Sequence, residues 1–123
     1  MKSDLGERTK LFALAIVHFY IALPKTTEMQ ILGKQMLRSG TAVGAHYREA
    51  SRSRSDAEFI SKIEGGLQEL VETGYWLELL LELQAGNTDT TFALLDEVRQ
   101  LDAILTTCVR KVKEKQRAQK LQK

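Results

Sequence analysis

Apolar residues recur along this 123-residue chain at the spacing of amphipathic α-helices. The most regular pattern lies in 56–84, where seven positions alternate steps of three and four residues, the heptad spacing of coiled-coil-like packing. These positions are Ile60, Ile63, Leu67, Leu70, Gly74, Leu77 and Leu81. A second heptad pattern, in 90–117, comprises Leu94, Val98, Leu101, Leu105, Cys108 and Val112. Both segments are therefore predicted to be helices that face a common core.

Helix start and stop signals divide the chain into four such segments. Pro24 ends the first helix, because the residue before a proline avoids the helical conformation. Thr26 or Thr27 caps the second helix. Ser55 and Glu58 form a Ser-x-x-Glu capping box, which predicts that the third helix begins there.

The third helix is expected to end at Gly86 and Asn87, since either residue suits a left-handed C-cap. The connections are short, so consecutive helices should be antiparallel neighbours. We predict an all-α, antiparallel up-down-up-down four-helix bundle that forms a single domain over 1–123, with a basic C-terminal tail (113–123) that frays. The predicted helices are 5–23, 27–50, 56–84 and 90–117.

Two segments have more apolar positions than one bundle needs. A helix in a monomeric bundle requires one apolar stripe, but the apolar residues of 11–23 cover most of the helix circumference. The segment 75–83 is also apolar on more than one side. This surplus predicts that another subunit buries a second face.

Small residues fill 39–45 and recur inside the third helix. Glycine inside a helix costs roughly 1 kcal/mol relative to alanine, so these positions need a compensating reason. Close approach of a neighbouring helix is one explanation, and a ligand pocket against exposed backbone is the other. The glycines expected to allow close helix packing are Gly40, Gly44, Gly65, Gly66 and Gly74.

The composition argues against several classes of protein. The apolar run 11–23 is too short to cross a bilayer, so no membrane partner is expected. A single cysteine, Cys108, excludes an internal disulfide, suits a buried core thiol and favours a cytoplasmic location. No Glu lies three residues before His18 or His46, as a di-iron bundle would require. We therefore expect no catalytic residues, no metal, no cofactor and no enzymatic activity.

Charge is distributed unevenly along the chain, although the total is only +2. Residues 1–62 carry a net charge of +4, residues 63–105 carry −8 and residues 106–123 carry +6. In the predicted topology, the connection between helices two and three lies at the same end as the C-terminus of helix four. The cations expected to bind nucleic acid or a partner at that end are Arg48, Arg52, Arg54, Arg110, Lys111, Lys113, Lys115 and Arg117.

Each charged surface also has a simpler explanation. The C-terminal cations complement the helix dipole and keep an oligomer soluble. The glutamates of helix three suit a solvated or intersubunit face. His46, on the small-residue face of helix two, either forms a hydrogen bond across helices or contacts a phosphate or partner. His18 suits a core or interface position.

Four stretches carry a family resemblance: QMLRSGTAVGA (35–45), YREA (47–50), SDAEFISKI (55–63) and ETGYWLELL (72–80). In their order and spacing, the chain resembles the four-helix-bundle proteins of the 23S ribosomal RNA intervening-sequence family. That family also resembles the accessory variability determinant of diversity-generating retroelements. The chain departs from the family pattern at His46, where the family has Asn.

The resemblance implies a bundle that assembles as a ring-like homopentamer, with no established enzymatic activity. It also implies a bacterial gene, located in a ribosomal RNA insertion or elsewhere in the genome. Two functional hypotheses follow. The first is a non-enzymatic homo-oligomer that binds RNA, DNA or a nucleoprotein partner through its basic end. The alternative is a structural scaffold that recruits another protein through the acidic region of helix three, without binding nucleic acid.

Overall fold

The structure, a computed structural model, describes residues 4–122. Positions 1–3 of the predicted domain, and position 123 of the predicted tail, lie outside the described residues. The four helices are α1 (Asp4–Ile21), α2 (Thr27–Ser51), α3 (Asp56–Glu82) and α4 (Thr88–Leu121). Connections of four or five residues join them, so each helix runs antiparallel to the one before it.

The helices surround the core in chain order. α2 packs against both α1 and α3, α3 packs against α4, and α4 touches α1 only lightly. Within residues 4–122 the diagonal pairs, α1 with α3 and α2 with α4, have no Cα atoms within 8 Å of each other. The all-α, up-down-up-down four-helix bundle is therefore confirmed.

The side chains that fill the core come from one face of each helix. α3 lies between α2 and α4, so its buried face is wide and includes most of the predicted heptad positions. Fully burying one such aliphatic side chain contributes about 1.5–3 kcal/mol. The largest core side chains that are almost completely buried are Ile16, Met36, Val43, Ile63, Leu70, Leu77, Leu80, Leu101 and Leu105.

Side-chain caps begin the helices where the sequence predicted, with one shift. Thr26 accepts a hydrogen bond from the amide of Met29, and Ser55 accepts one from the amide of Glu58 at 3.0 Å. The carboxylate of Glu58 accepts from the amide of Arg54 at 2.8 Å, one residue earlier than a standard capping box requires. These bonds satisfy donors that the first helical turn leaves free.

The end of α3 differs from the prediction. Gln84 is the left-handed residue that closes the helix, with φ of 56°, and Gly86, with φ of 77°, is a second left-handed residue two positions later. The amide of Ala85 donates to Leu80 O at 2.9 Å and that of Gln84 donates to Leu81 O at 3.0 Å, which is the Schellman arrangement. Ala85 and Leu80 are both buried, and the helix ends at Glu82 instead of the predicted residue 84. Asn87 instead caps α4.

Helix α4 corrects the sequence prediction in two ways. Its buried position after Leu105 is Val109, whereas Cys108 is only partly buried. A straight helix has 3.6 residues per turn, so its inner face drifts about 20° per heptad away from a 3.5-residue pattern. The predicted fraying tail, 113–123, is helical as far as Leu121, and within it Lys113 and Lys115 pair with Glu64 and Asp56 of α3.

Several glycines lie where a neighbouring side chain leaves no room for a Cβ. A Cβ on Gly40 would lie 2.9 Å from Cγ1 of Ile16, and one on Gly65 would lie 2.9 Å from Cε1 of His46. At Gly44 the nearest atom, Oγ1 of Thr9, would be 3.2 Å away. These contacts bring α2 close to both α1 and α3.

Two other predicted packing glycines are less crowded, and one crowded glycine was not predicted. A Cβ on Gly66 would lie 3.4 Å from Cβ of His46, and one on Gly74 would lie 3.6 Å from Val98. On Gly33 it would lie 2.8 Å from Cδ1 of Leu23. Gly33 lies outside the small-residue run, so its sequence context gave no signal of this contact.

Because Gly40 is more crowded than Gly74, replacing each of them by alanine should have opposite effects on the free energy of unfolding. Gly40→Ala should lower the free energy of unfolding by about 1–3 kcal/mol, because the added methyl group overlaps the fully buried Ile16. Gly74→Ala should leave it unchanged or raise it by up to about 1 kcal/mol, because alanine has the higher helix propensity. Urea denaturation measures both, and equal destabilisation by the two substitutions would contradict the packing described.

The strained end of α3 gives a second prediction. Gln84→Gly should raise the free energy of unfolding by about 0.5–1 kcal/mol, because left-handed backbone costs a non-glycine residue about 1–2 kcal/mol. As a control, Gln35→Gly, at an exposed position inside α2, should lower it by about 1 kcal/mol. Thermal and urea denaturation compare the two variants, and a loss of stability in both would contradict the left-handed conformation.

Candidate nucleic-acid interface

The connection between α2 and α3 forms a tight corner with three exposed arginines, Arg48, Arg52 and Arg54. Hydroxyl groups hold the backbone of this corner. Ser51 Oγ donates to Arg48 O at 2.8 Å, and Ser53 Oγ donates to Ala50 O at 2.7 Å. Because the serines satisfy the last carbonyls of α2, the arginine side chains are not needed for capping and extend from the corner.

The C-terminal part of α4 lies beside this corner. Nζ of Lys115 is 3.3 Å from Oδ1 of Asp56, the first residue of α3. Val112 and Arg54 line the same cleft, which has a volume of about 300 Å³. The structure thus brings the three arginines and the predicted C-terminal cations to one end of the bundle. We call the residues 45–64 and 108–122 at this end the basic end.

The basic end has twice as many cations as anions, with ten Lys or Arg residues and five Asp or Glu residues. Four of the cations lie within 4 Å of a carboxylate. The pairs are Lys62–Glu49 at 3.2 Å, Arg110–Glu114 at 3.4 Å, Lys113–Glu64 at 3.4 Å and Lys115–Asp56 at 3.3 Å. Exposed pairs of this kind contribute about 0–1 kcal/mol each to stability. Their main effect here is to compensate the local charge.

Six cations of the basic end have no carboxylate within 4 Å among the residues that the structure describes. They are Arg48, Arg52, Arg54, Lys111, Arg117 and Lys120. The sequence grouped eight cations as equivalent, but the structure divides them. Lys113 and Lys115 pair with α3, and Arg110 pairs with Glu114 on the next turn of α4. The other five predicted cations carry uncompensated charge. Lys120 joins this second group.

The cations of α4 lie on both of its flanks. Arg110, Lys113, Arg117 and Lys120 follow helical spacing along one face, and three of them line a cleft of about 490 Å³ next to Asp56. Val112, which faces Arg54, is rotated by about 140° from Arg117 around the helix axis. The α2–α3 corner therefore lies against the inner face of α4, and the cationic stripe runs beside that face.

Aromatic side chains at the basic end are packed into the bundle. Tyr47 and Phe59 are partly buried against the core. Burial, together with the nearby Cys108, raises the pKa of Tyr47. The exposed aromatic residues of the described chain, Tyr75 and Phe92, lie outside the basic end. The basic end thus offers charged groups but no exposed aromatic ring.

His46 lies at the edge of the basic end, with its ring against Gly65 and 30% of its side chain exposed. Of its two predicted roles, the contacts bear on the cross-helix hydrogen bond. Nδ1 and Nε2 lie 3.9 Å from the carboxylates of Glu49 and Glu69, too far for a hydrogen bond. Lys62 and Arg38 lie nearer to these two carboxylates, at 3.2 and 3.6 Å, so the histidine does not form the expected cross-helix hydrogen bond.

Residues 4–122 contain neither a metal-binding cluster nor a membrane-spanning helix. No group of three or more His, Cys, Asp or Glu side chains there is arranged to hold a metal ion. Among the four described helices, none combines the length and the apolar character needed to cross a membrane.

Comparison with known proteins identifies the family. The family model for the 23S rRNA-intervening sequence protein matches residues 2–107. A crystal structure of a protein of unknown function from Bacteroides thetaiotaomicron, assigned to the S23 ribosomal protein family, has a similar fold with a TM-score of 0.79. The two sequences are 33% identical over 85% of this chain and 96% of that chain. The comparison with curated proteins gave no match.

Neither of these descriptions names a catalytic activity. The family match includes the arginine corner and stops at 107, before the cationic stripe of α4. It confirms the resemblance seen in the four sequence stretches, since all four lie within the matched residues. The chain belongs to the 23S rRNA-intervening sequence protein family.

Proposed function

We propose that this protein is a non-enzymatic, cytoplasmic homo-oligomer that binds nucleic acid, alone or within a nucleoprotein, through its basic end. The observation that carries this proposal is the group of six cations without a carboxylate partner, gathered at one end of the bundle. Lysine and arginine bind phosphates by releasing counterions from the nucleic acid. Several copies of the basic end in one particle would multiply this attraction.

The proposed oligomer is supported by two exposed apolar faces. On α1, Leu11 and Ile21 are 55% and 60% exposed. On α3, Val71 and Tyr75 are 64% and 54% exposed. α1 and α3 are diagonal in the bundle, so these faces point away from each other. His18 is exposed on the α1 face, where a second subunit, and not the core of its own bundle, would cover it.

Two different faces on opposite sides favour a head-to-tail contact. Such a contact uses one patch from each copy and closes into a ring when the rotation between neighbours allows it. The charges support this pairing, because Glu78 and Glu82 lie on the α3 face, whereas Lys10 and Lys25 border the α1 face. A ring of this kind agrees with the homopentamer that the family resemblance implies.

The oligomer gives a test at the α1 face. Leu14→Arg should reduce the sedimenting species to a single protomer, because a buried guanidinium would lack a partner in the contact. Ala103→Arg adds the same charge at an exposed position of α4, and this control should keep the oligomer size of the natural protein. Sedimentation velocity measures both variants. A natural protein that sediments as a monomer would contradict the oligomer.

The basic end gives a second test. Replacing Arg52 and Arg54 together by Glu should weaken binding to structured RNA and to duplex DNA at least tenfold, and lower the salt dependence by about two phosphate contacts. The control replaces Lys34 and Arg99 by Glu, which makes the same change in net charge away from the basic end and should preserve binding. Gel shifts at several salt concentrations measure both variants.

The outcomes separate the two functional hypotheses. Full binding by the Arg52 and Arg54 double variant would exclude the arginine corner as the contact. If the natural oligomer binds neither nucleic acid at low salt, the proposal is wrong. The scaffold hypothesis, in which the acidic face of α3 recruits another protein, would then replace it.

A further inference from the structure

We propose that the basic end recognises a double helix through its phosphates alone, without reading bases, and that only its six uncompensated cations contact those phosphates. This inference rests on the proposed function and specifies its ligand. It concerns the chemistry shared by duplex DNA and duplex RNA. Three features of the basic end support it: its lack of exposed aromatic rings, its arrangement of charge and its extent.

The side chains at the basic end favour a duplex over a single strand. Proteins that bind single strands combine a basic groove with aromatic side chains on which the bases stack. Tyr47 and Phe59 are both partly buried against the core, which limits the ring surface that a base could stack on. A site that acts by charge alone is attracted most strongly by the polymer of highest charge density. Duplex DNA carries one charge per about 1.7 Å of axis, and counterion release per contact is larger than for single strands.

The extent of the basic end is sufficient to reach both strands. From Lys111 to Lys120 the α4 helix rises about 14 Å, and Arg54 of the arginine corner lines a cleft with Val112 on the inner face of the same helix. The grooves of B-form DNA are about 12 Å and 6 Å wide. The cations along α4 therefore extend far enough to contact phosphates on either side of a groove.

The ion pairs distinguish two neighbouring cations on the same stripe of α4. Lys113 lies 3.4 Å from the carboxylate of Glu64, so this carboxylate competes with any phosphate. Arg117, one turn further on, has no such carboxylate among the described residues. Both side chains are exposed, and replacing either by alanine removes one positive charge. A comparison of the Lys113 and Arg117 alanine variants therefore distinguishes contact with a phosphate from a general effect of net charge.

Fluorescence anisotropy with labelled oligonucleotides tests the proposal. The full-length protein should bind a 20-base-pair DNA or RNA duplex at least tenfold more tightly than either separated strand. Two duplexes of unrelated sequence should differ by less than about threefold. For each basic end in contact with duplex DNA, the slope of log affinity against log salt should be about −5, as expected for six phosphates.

The two alanine variants complete the test. Arg117→Ala should make this slope about one unit less steep, whereas Lys113→Ala should leave it unchanged. Equal changes in the two variants would show that net charge alone matters and would overturn the division of the cations. If the protein prefers a single strand, or one duplex sequence over the other, the proposed recognition of a double helix through its phosphates alone is wrong. The proposal that the protein binds nucleic acid would still hold. Absence of binding to every oligonucleotide would instead contradict the proposed function itself.

Discussion

Helices α2 and α3 approach closely because small side chains line their facing surfaces. The Cβ of His46 and the carbonyl oxygen of Val43 both lie within ordinary contact distance of a Cβ placed on Gly66. Between these buried surfaces, the hydroxyls of Ser39 and Thr73 share a hydrogen bond of 2.7 Å. A buried polar pair is tolerated only when both partners are satisfied. This bond adds a direct polar link between the two helices where they pack closely, and the α2–α3 corner joins their ends.

The unequal lengths of α1 and α4 determine which surfaces these two helices leave exposed. α1 has 18 residues and α4 has 34, so their lengths differ by about 24 Å at 1.5 Å per residue. The last turns of α4 therefore extend past α1 and pack against the start of α3. This inequality has two consequences. α4 presents cations on two flanks at the basic end, and α1, in light contact with α4, leaves one apolar face uncovered.

Local patterns were sufficient to predict the fold. The Ser-x-x-Glu motif located the start of α3 at Asp56, and the heptad positions Leu70 and Leu77 are fully buried. The end of α3 could not be predicted in the same way. Gly86 does adopt a left-handed φ of 77°, but the helix has already ended, because the bonds from Ala85 and Gln84 back to Leu80 and Leu81 make Gln84 the capping residue. A preference of about 1 kcal/mol for glycine is smaller than the gain from burying apolar side chains.

The candidate site was predictable in its location but not in its composition. Topology alone places the α2–α3 corner and the end of α4 together, so charge segregation along the sequence was enough to locate a basic end. Which cations remain uncompensated depends on pairs distant in sequence, such as Lys113 with Glu64, 49 residues apart. Such pairs leave no local sequence pattern, because any carboxylate on the facing helix can pair with the lysine.

The same pairs explain how α4 can extend beyond the family match and still have a defined position. Glu64 and Asp56 lie within the matched residues, whereas Lys113 and Lys115 lie beyond residue 107. The shared part of the fold thus supplies anionic anchors to a segment outside it. Once two lysines are neutralised against these anchors, the remaining cations of α4 are held near the arginine corner without opposing carboxylates. The carboxylates of α3 therefore lower the net charge of the basic end by pairing with two of its lysines, and the remaining cations account for its positive charge.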